Sequence, residues 1–182
     1  MTKRKFHPKL SHMTGTCNQN LIKVTTRSTH VRLGLDLVQI SRIADSTALF
    51  GDRFKNRLFT RDELDYVESG DGGDGTGGQC AERLAARFAA KEATIKALNL
   101  GEDGIGWKDI EVRKLRGGGC ALALHGAVAE IAKEMGLAGT SLSLSHDGDY
   151  AGAVVAMTFE PPDRSLFEQR FAHVQQRQPR TD

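Results

Sequence analysis

An α+β fold, an antiparallel sheet packed with a long helix, is what three features of the sequence predict. Val31, Leu33, Leu35 and Leu37 alternate with Arg32, Gly34 and Asp36, the period of a half-buried strand. Ala81 to Asn99 is a long helical stretch, closed by Gly101 in the position that glycine favours after a helix. Leu142–His146 and Ala151–Phe159 flank Asp147-Gly148, the signature of a hairpin.

The remaining elements follow in chain order. Residues 1–30 carry Lys3, Arg4, Lys5, Lys9, Lys23 and Arg27, with no acidic residue before Asp36 and no sustained apolar period. They read as a flexible basic leader, with an organelle transit peptide or a translation start near Val31 as alternatives. A domain then spans 31–159. A helix follows the first strand from Ser41 to Phe50, and Thr60-Arg61-Asp62-Glu63 fits a capping box that opens a short helix to about Glu68. Residues 69–80 hold six glycines without the Lys-Ser/Thr pair of a phosphate-binding loop, and read as a flexible insertion. Ile110–Arg113 and Ala121–Leu124 are strands around the Gly117-Gly118-Gly119 turn, and Ala127–Met135 is a helix stopped by Gly136. Pro161-Pro162 ends the core. In the tail, 160–182, Leu166, Phe167, Phe171 and Val174 line one face of a last short helix.

Composition narrows the function classes. With 25 basic and 23 acidic residues the net charge of +2 gives no argument for nucleic acid, and 6% aromatic content supplies no stacking platform. Cys17, Cys80 and Cys120 are widely spaced with no C-x-x-C pair, which favours reduced thiols over a disulfide framework or a zinc site. No apolar run approaches membrane-spanning length and the N-terminus lacks a secretory core. The expected compartment is the cytoplasm, with neither membrane nor nucleic acid as partner.

The long helix carries the chemistry. At about 100° per residue, Leu84, Phe88 and Ile95 form one stripe, and Lys91 and Glu92 project on its flanks. A charge facing a core is costly unless paired or bound to a metal. Helix geometry alone favours an internal ion pair there, with Lys96 supporting Glu92. Asp36 opens a second reading. It lies opposite the four aliphatic residues of its strand, on the side taken to be uncovered, and beside Gly34, which leaves room for close approach. One carboxylate from a strand and one from a helix suit a magnesium ion whose other ligands are water and substrate phosphate. Arg87, Lys91 and Lys96 would then surround that ion as phosphate partners. Ser145-His146-Asp147 cannot form a triad, because adjacent residues of a strand point to opposite faces. The other histidines, His125 among them, show no metal-ligand spacing.

Gly34-Leu35-Asp36-Leu37-Val38 resembles the opening signature of holo-acyl-carrier-protein synthases. Arg53-Phe54, Arg57-Leu58-Phe59-Thr60 and Glu63-Leu64 resemble the family's next block. Leu84-Ala85-Ala86-Arg87-Phe88-Ala89-Ala90-Lys91-Glu92-Ala93, followed by Lys96-Ala97, is similar to its most specific motif. Trp107, Asp109-Ile110-Glu111-Val112 and Ser143-Leu144-Ser145-His146-Asp147 complete the order across Val31 to Met157. The resemblance implies the 4'-phosphopantetheinyl transferase fold and transfer of 4'-phosphopantetheine from coenzyme A to a serine of an apo acyl carrier protein or carrier domain, in support of fatty acid biosynthesis. It implies magnesium at Asp36 and Glu92, a catalytic set of Asp36, Glu92 and Lys96, and coenzyme A contacts from Arg87, Lys91, Lys96 and His146. It also implies a carrier-protein surface of Arg42, Arg53 and Arg57, and a homotrimer with active sites between subunits. The leader, the Gly-rich segment and the long tail depart from the family pattern. The rival readings are a non-catalytic carrier-binding module, which should lack one of the two carboxylates, and a nucleic-acid binder led by the basic N-terminus.

Overall fold

The computed structural model describes residues 29–69, 77–101 and 105–160. Five strands and four helices run in the order β1 (His30–Gln39), α1 (Ile40–Leu58), α2 (Arg61–Glu68), α3 (Gly77–Leu98), β2 (Ile110–Lys114), β3 (Cys120–Leu124), α4 (Gly126–Glu134), β4 (Leu137–Asp147) and β5 (Tyr150–Phe159). A turn of 3-10 helix, Trp107–Asp109, leads into β2. The strands form an antiparallel sheet ordered β1-β5-β4 and a separate β2-β3 hairpin, so the expected α+β class with antiparallel hairpins and one long helix is the fold observed. The basic leader and the expected C-terminal helix lie outside the described residues.

Helix α3 packs on the sheet through small residues. Ala85, Ala89, Ala90, Ala93 and Ala97 are buried, and Gly34 of β1 lies so close that a Cβ there would overlap the Ala93 carbonyl oxygen. Only glycine permits that approach. The core then extends through Ala153, Val155, Met157 and Phe159 of β5, and through Ile110 and Val112 of β2. A second cluster joins Ile43, Leu58, Phe59, Leu64 and Val67 to the start of α3.

Several expectations change. The Gly34–Asp36–Val38 side of β1 is the one that meets α3, whereas Val31, Leu33, Leu35 and Leu37 stand 59% to 68% exposed on the opposite side. Alternation had identified the two faces correctly, but hydrophobicity pointed to the wrong one as covered. Helix α3 begins at Gly77, so residues 77–80 belong to the helix and only 70–76 of the Gly-rich insertion fall outside the described residues. Asn99, not Gly101, takes the left-handed conformation (φ 54°) at the helix end. Leu100 N–H donates to Ile95 O (3.0 Å) and Asn99 N–H to Lys96 O (3.1 Å), the paired bonds of a Schellman motif.

The capping box forms as expected. Thr60 Oγ1 accepts from Glu63 N–H (3.3 Å) while Glu63 Oε2 accepts from Thr60 N–H (2.9 Å). Helix α1 runs past the expected end at Phe50 to Leu58, across a kink at Gly51 (φ 54°, ψ −136°) that breaks its helical geometry. Strand β4 starts at Leu137, earlier than the expected Leu142, because register with β5 carries it back to Phe159.

Candidate active site

Asp36 and Glu92 line one cavity of about 590 Å³ between β1, α1, α3 and the β4–β5 turn. That volume suits a small-molecule ligand. Strand alternation puts Asp36 on the α3 side of β1, and the missing side chain at Gly34 with the small one at Ala93 lets helix and strand come together. Arg42, Gln39 and Tyr150 line the same space, and Gln39 Nε2 donates to the Tyr150 hydroxyl at 3.1 Å. Phe88 and Phe54 supply an apolar wall, with Phe88 stacked on Trp107 at 5.2 Å between centroids.

Lys96 stands over Asp36. Its ammonium lies 2.7 Å from Asp36 Oδ1 and donates to the Leu35 carbonyl oxygen at 3.2 Å. The hydrogen bond to Asp36 holds the Lys96 pKa above the usual lysine value, against a small opposing effect of burial, so the side chain is a fixed cation near neutral pH. Glu92, one turn earlier on α3, adds a second negative charge close enough to favour it. Among the described residues no group of three or more His, Cys, Asp and Glu side chains converges on one point. The donor set at Asp36 and Glu92 is therefore two hard oxygen ligands with open space beside them. Magnesium accepts that arrangement, since water and phosphate oxygens complete its shell. The residues fit the ion.

Arg87 and Lys91 were expected to surround the same ion, but they occupy the other side of α3. Lys91 is 0% exposed, and its ammonium pairs with Glu63 Oε2 at 2.8 Å. It also donates to the carbonyl oxygens of Trp107 (3.0 Å) and Ile110. Glu63 Oε1 accepts from Val112 N–H at 3.0 Å, so this carboxylate both caps α2 and ties it to α3 and β2. Burial lowers the Lys91 pKa, and Glu63 partly offsets the shift. The internal ion pair that helix geometry favoured exists, but its members are Lys91 and Glu63. Glu63 could not be found from helical spacing, since its partner lies on another element.

Arg87 is 3% exposed, with its guanidinium 4.3 Å above the Tyr66 ring. Nη1 donates to the Arg83 carbonyl oxygen at 3.1 Å, while Nε and Nη2 are buried with no hydrogen-bond partner among the described residues. Burial pushes its pKa down. His146, near the end of β4, pairs with Glu82 of α3 (3.2 Å) and is not part of the cavity wall. Arg42 reaches the cavity, and Arg53 and Arg57 are exposed farther along α1, beyond the Gly51 kink. Sequence reasoning missed Gln39, Phe54, Phe88's role as a wall, and Tyr150. Tyr150 had a signal, since a tyrosine directly after a hairpin turn is well placed to present its hydroxyl at the sheet end.

Comparison with known proteins agrees with this fold. Residues 32–155 match the family model of the 4'-phosphopantetheinyl transferase superfamily. A holo-[acyl-carrier-protein] synthase of Koribacter versatilis is 41% identical over 125 residues, covering 68% of this chain and 94% of that protein. The structure of a Chronobacterium ammoniagenes ACPS–CoA complex superposes with a TM-score of 0.64 at 32% identity, covering 72% of this chain and 99% of that one. A Helicobacter pylori holo-[acyl-carrier-protein] synthase in complex with coenzyme A gives 0.58 at 28% identity, covering 69% and 98%. With the match spanning the strand of Asp36, the helix of Glu92 and the hairpin of His146, the chain belongs to the 4'-phosphopantetheinyl transferase superfamily.

Proposed function

We propose that the protein transfers the 4'-phosphopantetheine group from coenzyme A to a serine of an apo acyl carrier protein or carrier domain, in support of fatty acid biosynthesis in the cytoplasm. The observation that carries this reading is a single cavity bordered by Asp36, Glu92 and Arg42, with Lys96 fixed on Asp36, in a chain of this superfamily. The serine oxygen forms a bond to the phosphorus that bears pantetheine, and the bond from that phosphorus to the departing 3',5'-ADP breaks. Asp36 and Glu92 would hold magnesium, which would supply positive charge against the diphosphate. Lys96 supplies a preorganised positive charge beside Asp36 where the phosphates approach. Asp36 and Glu92 are also the carboxylates within the cavity wall able to accept the serine proton. Arg42 at the cavity, with Arg53 and Arg57 beyond it, provides a basic approach for an acidic carrier protein.

The exposed aliphatic side of β1 supports a homotrimer. Val31, Leu33, Leu35, Leu37 and Val154 form an open apolar face of the kind that soluble monomers seldom expose. Leu35 and Leu37 flank Asp36 on the same edge strand, so a subunit seated there lies next to the cavity. A site shared between subunits would let the exposed His146 contribute to coenzyme A, whereas Arg87, buried against Tyr66, supports α3 from inside. Lys91 acts from inside, holding α3 in place for its neighbour Glu92.

Incubation with coenzyme A, magnesium and several apo carrier proteins tests the activity. Mass spectrometry should find the carrier heavier by one phosphopantetheinyl group, and chelation by EDTA should stop the gain. No gain on any carrier would refute the activity, and a full gain in EDTA would refute the metal.

A further inference from the structure

The described chain ends beside an apolar groove. Leu122 and Leu124 of β3, Ala129 and Ala132 of α4, and Leu137 and Ala138 of β4 line a depression of about 370 Å³, with Lys133 at its rim. Leu122, Leu124 and Leu137 pack on the main core on one side and face this depression on the other. Leu137 pairs directly with Phe159, and Glu160 N–H donates to Gly136 O at 2.9 Å. The chain therefore leaves the fold at the groove's own edge, with residues 161–182 still to follow.

That remaining segment has the complementary pattern. At about 100° per residue, Phe167, Phe171 and Val174 fall within roughly 60° of one another, with Leu166 flanking them. From Glu160 to Leu166 the chain can span roughly 20 Å, enough to enter a groove that starts at its last described residue. The family match stops at residue 155, so this tail is not part of the shared domain. The β1–β5 face is also open, but the groove is bordered by three elements and begins beside Gly136, the hydrogen-bond partner of Glu160.

We propose that the C-terminal segment of the same chain, through Leu166, Phe167, Phe171 and Val174, docks in the groove between β3, α4 and β4. Docking buries apolar surface on both partners, which is its driving force.

Methyl-labelled NMR of the full-length protein tests it. Nuclear Overhauser contacts are expected between the Leu122, Leu124 and Leu137 methyl groups and the rings of Phe167 and Phe171. A second arm introduces Ala138→Arg at the exposed lip of the groove, and limited proteolysis should then cut residues 163–174 several-fold faster while the core stays resistant. Absence of those contacts, or contacts to Leu33 and Leu35 instead, overturns the proposal. So does their appearance only between differently labelled chains in a mixed sample, which would make the occupant a second copy. Unchanged cleavage in the Ala138→Arg protein also counts against it.

Discussion

Lys91 and Glu92 are consecutive, equally charged in magnitude, and meet opposite environments. The 100° step between them sends Lys91 into the core against Glu63 and Glu92 to the cavity. From periodicity, both were visible as charges flanking an apolar stripe. Which one faced the core depended on Glu63, whose carboxylate arrives from a different helix and could not be placed by spacing. Replacing Lys91 by Met strands that carboxylate in the interior, and the loss should be about 3 to 5 kcal/mol, read from urea unfolding. Glu111 gives a pH test. It is nearly buried, which raises its pKa, but hydrogen bonds from Arg113 (2.8 Å) and His125 (2.7 Å) outweigh that and hold it below the ordinary glutamate value of 4.5. Between those values the unfolded chain binds a proton that the folded one does not. Its contribution is therefore complete above pH 4.5 and lost as pH falls through the folded value. Unfolding free energy measured from pH 6 downward should drop in that window, and Glu111→Gln should flatten the drop.

At the scale of elements, existence and order were legible while faces were not. The capping box of α2, the β2–β3 hairpin and the β4–β5 hairpin follow from local residue chemistry and sit where expected. The buried face of α3 is wider than the Leu84–Phe88–Ile95 stripe because it includes alanines, whose small size brings the helix close to β1. The same closeness places Asp36 and Glu92 in one cavity. Gly34→Ala should therefore push α3 off the strand, costing about 3 kcal/mol in stability and lowering activity beyond what unfolding explains. Thermal unfolding and the transfer rate, measured on the same preparation, separate the two effects.

For the whole molecule, one exposed apolar face and one carboxylate cavity share the edge strand β1. Sequence alternation exposed both faces but could not say which one a helix would cover, because the face left open is as hydrophobic as a core. Leu35→Arg should leave a folded chain that elutes as a monomer in light-scattering chromatography and transfers poorly; retention of the trimer's mass would contradict the proposed interface. Among the described residues no helix is long and apolar enough to cross a membrane. We propose that Asp36 and Glu92 together form a magnesium-dependent transfer site. Its most direct test is the single-turnover rate of phosphopantetheine transfer by Glu92→Gln, compared with the parent in saturating coenzyme A and magnesium. A rate lower by about 100-fold or more, with unchanged unfolding temperature, is the predicted result. Transfer at the parent rate would contradict it.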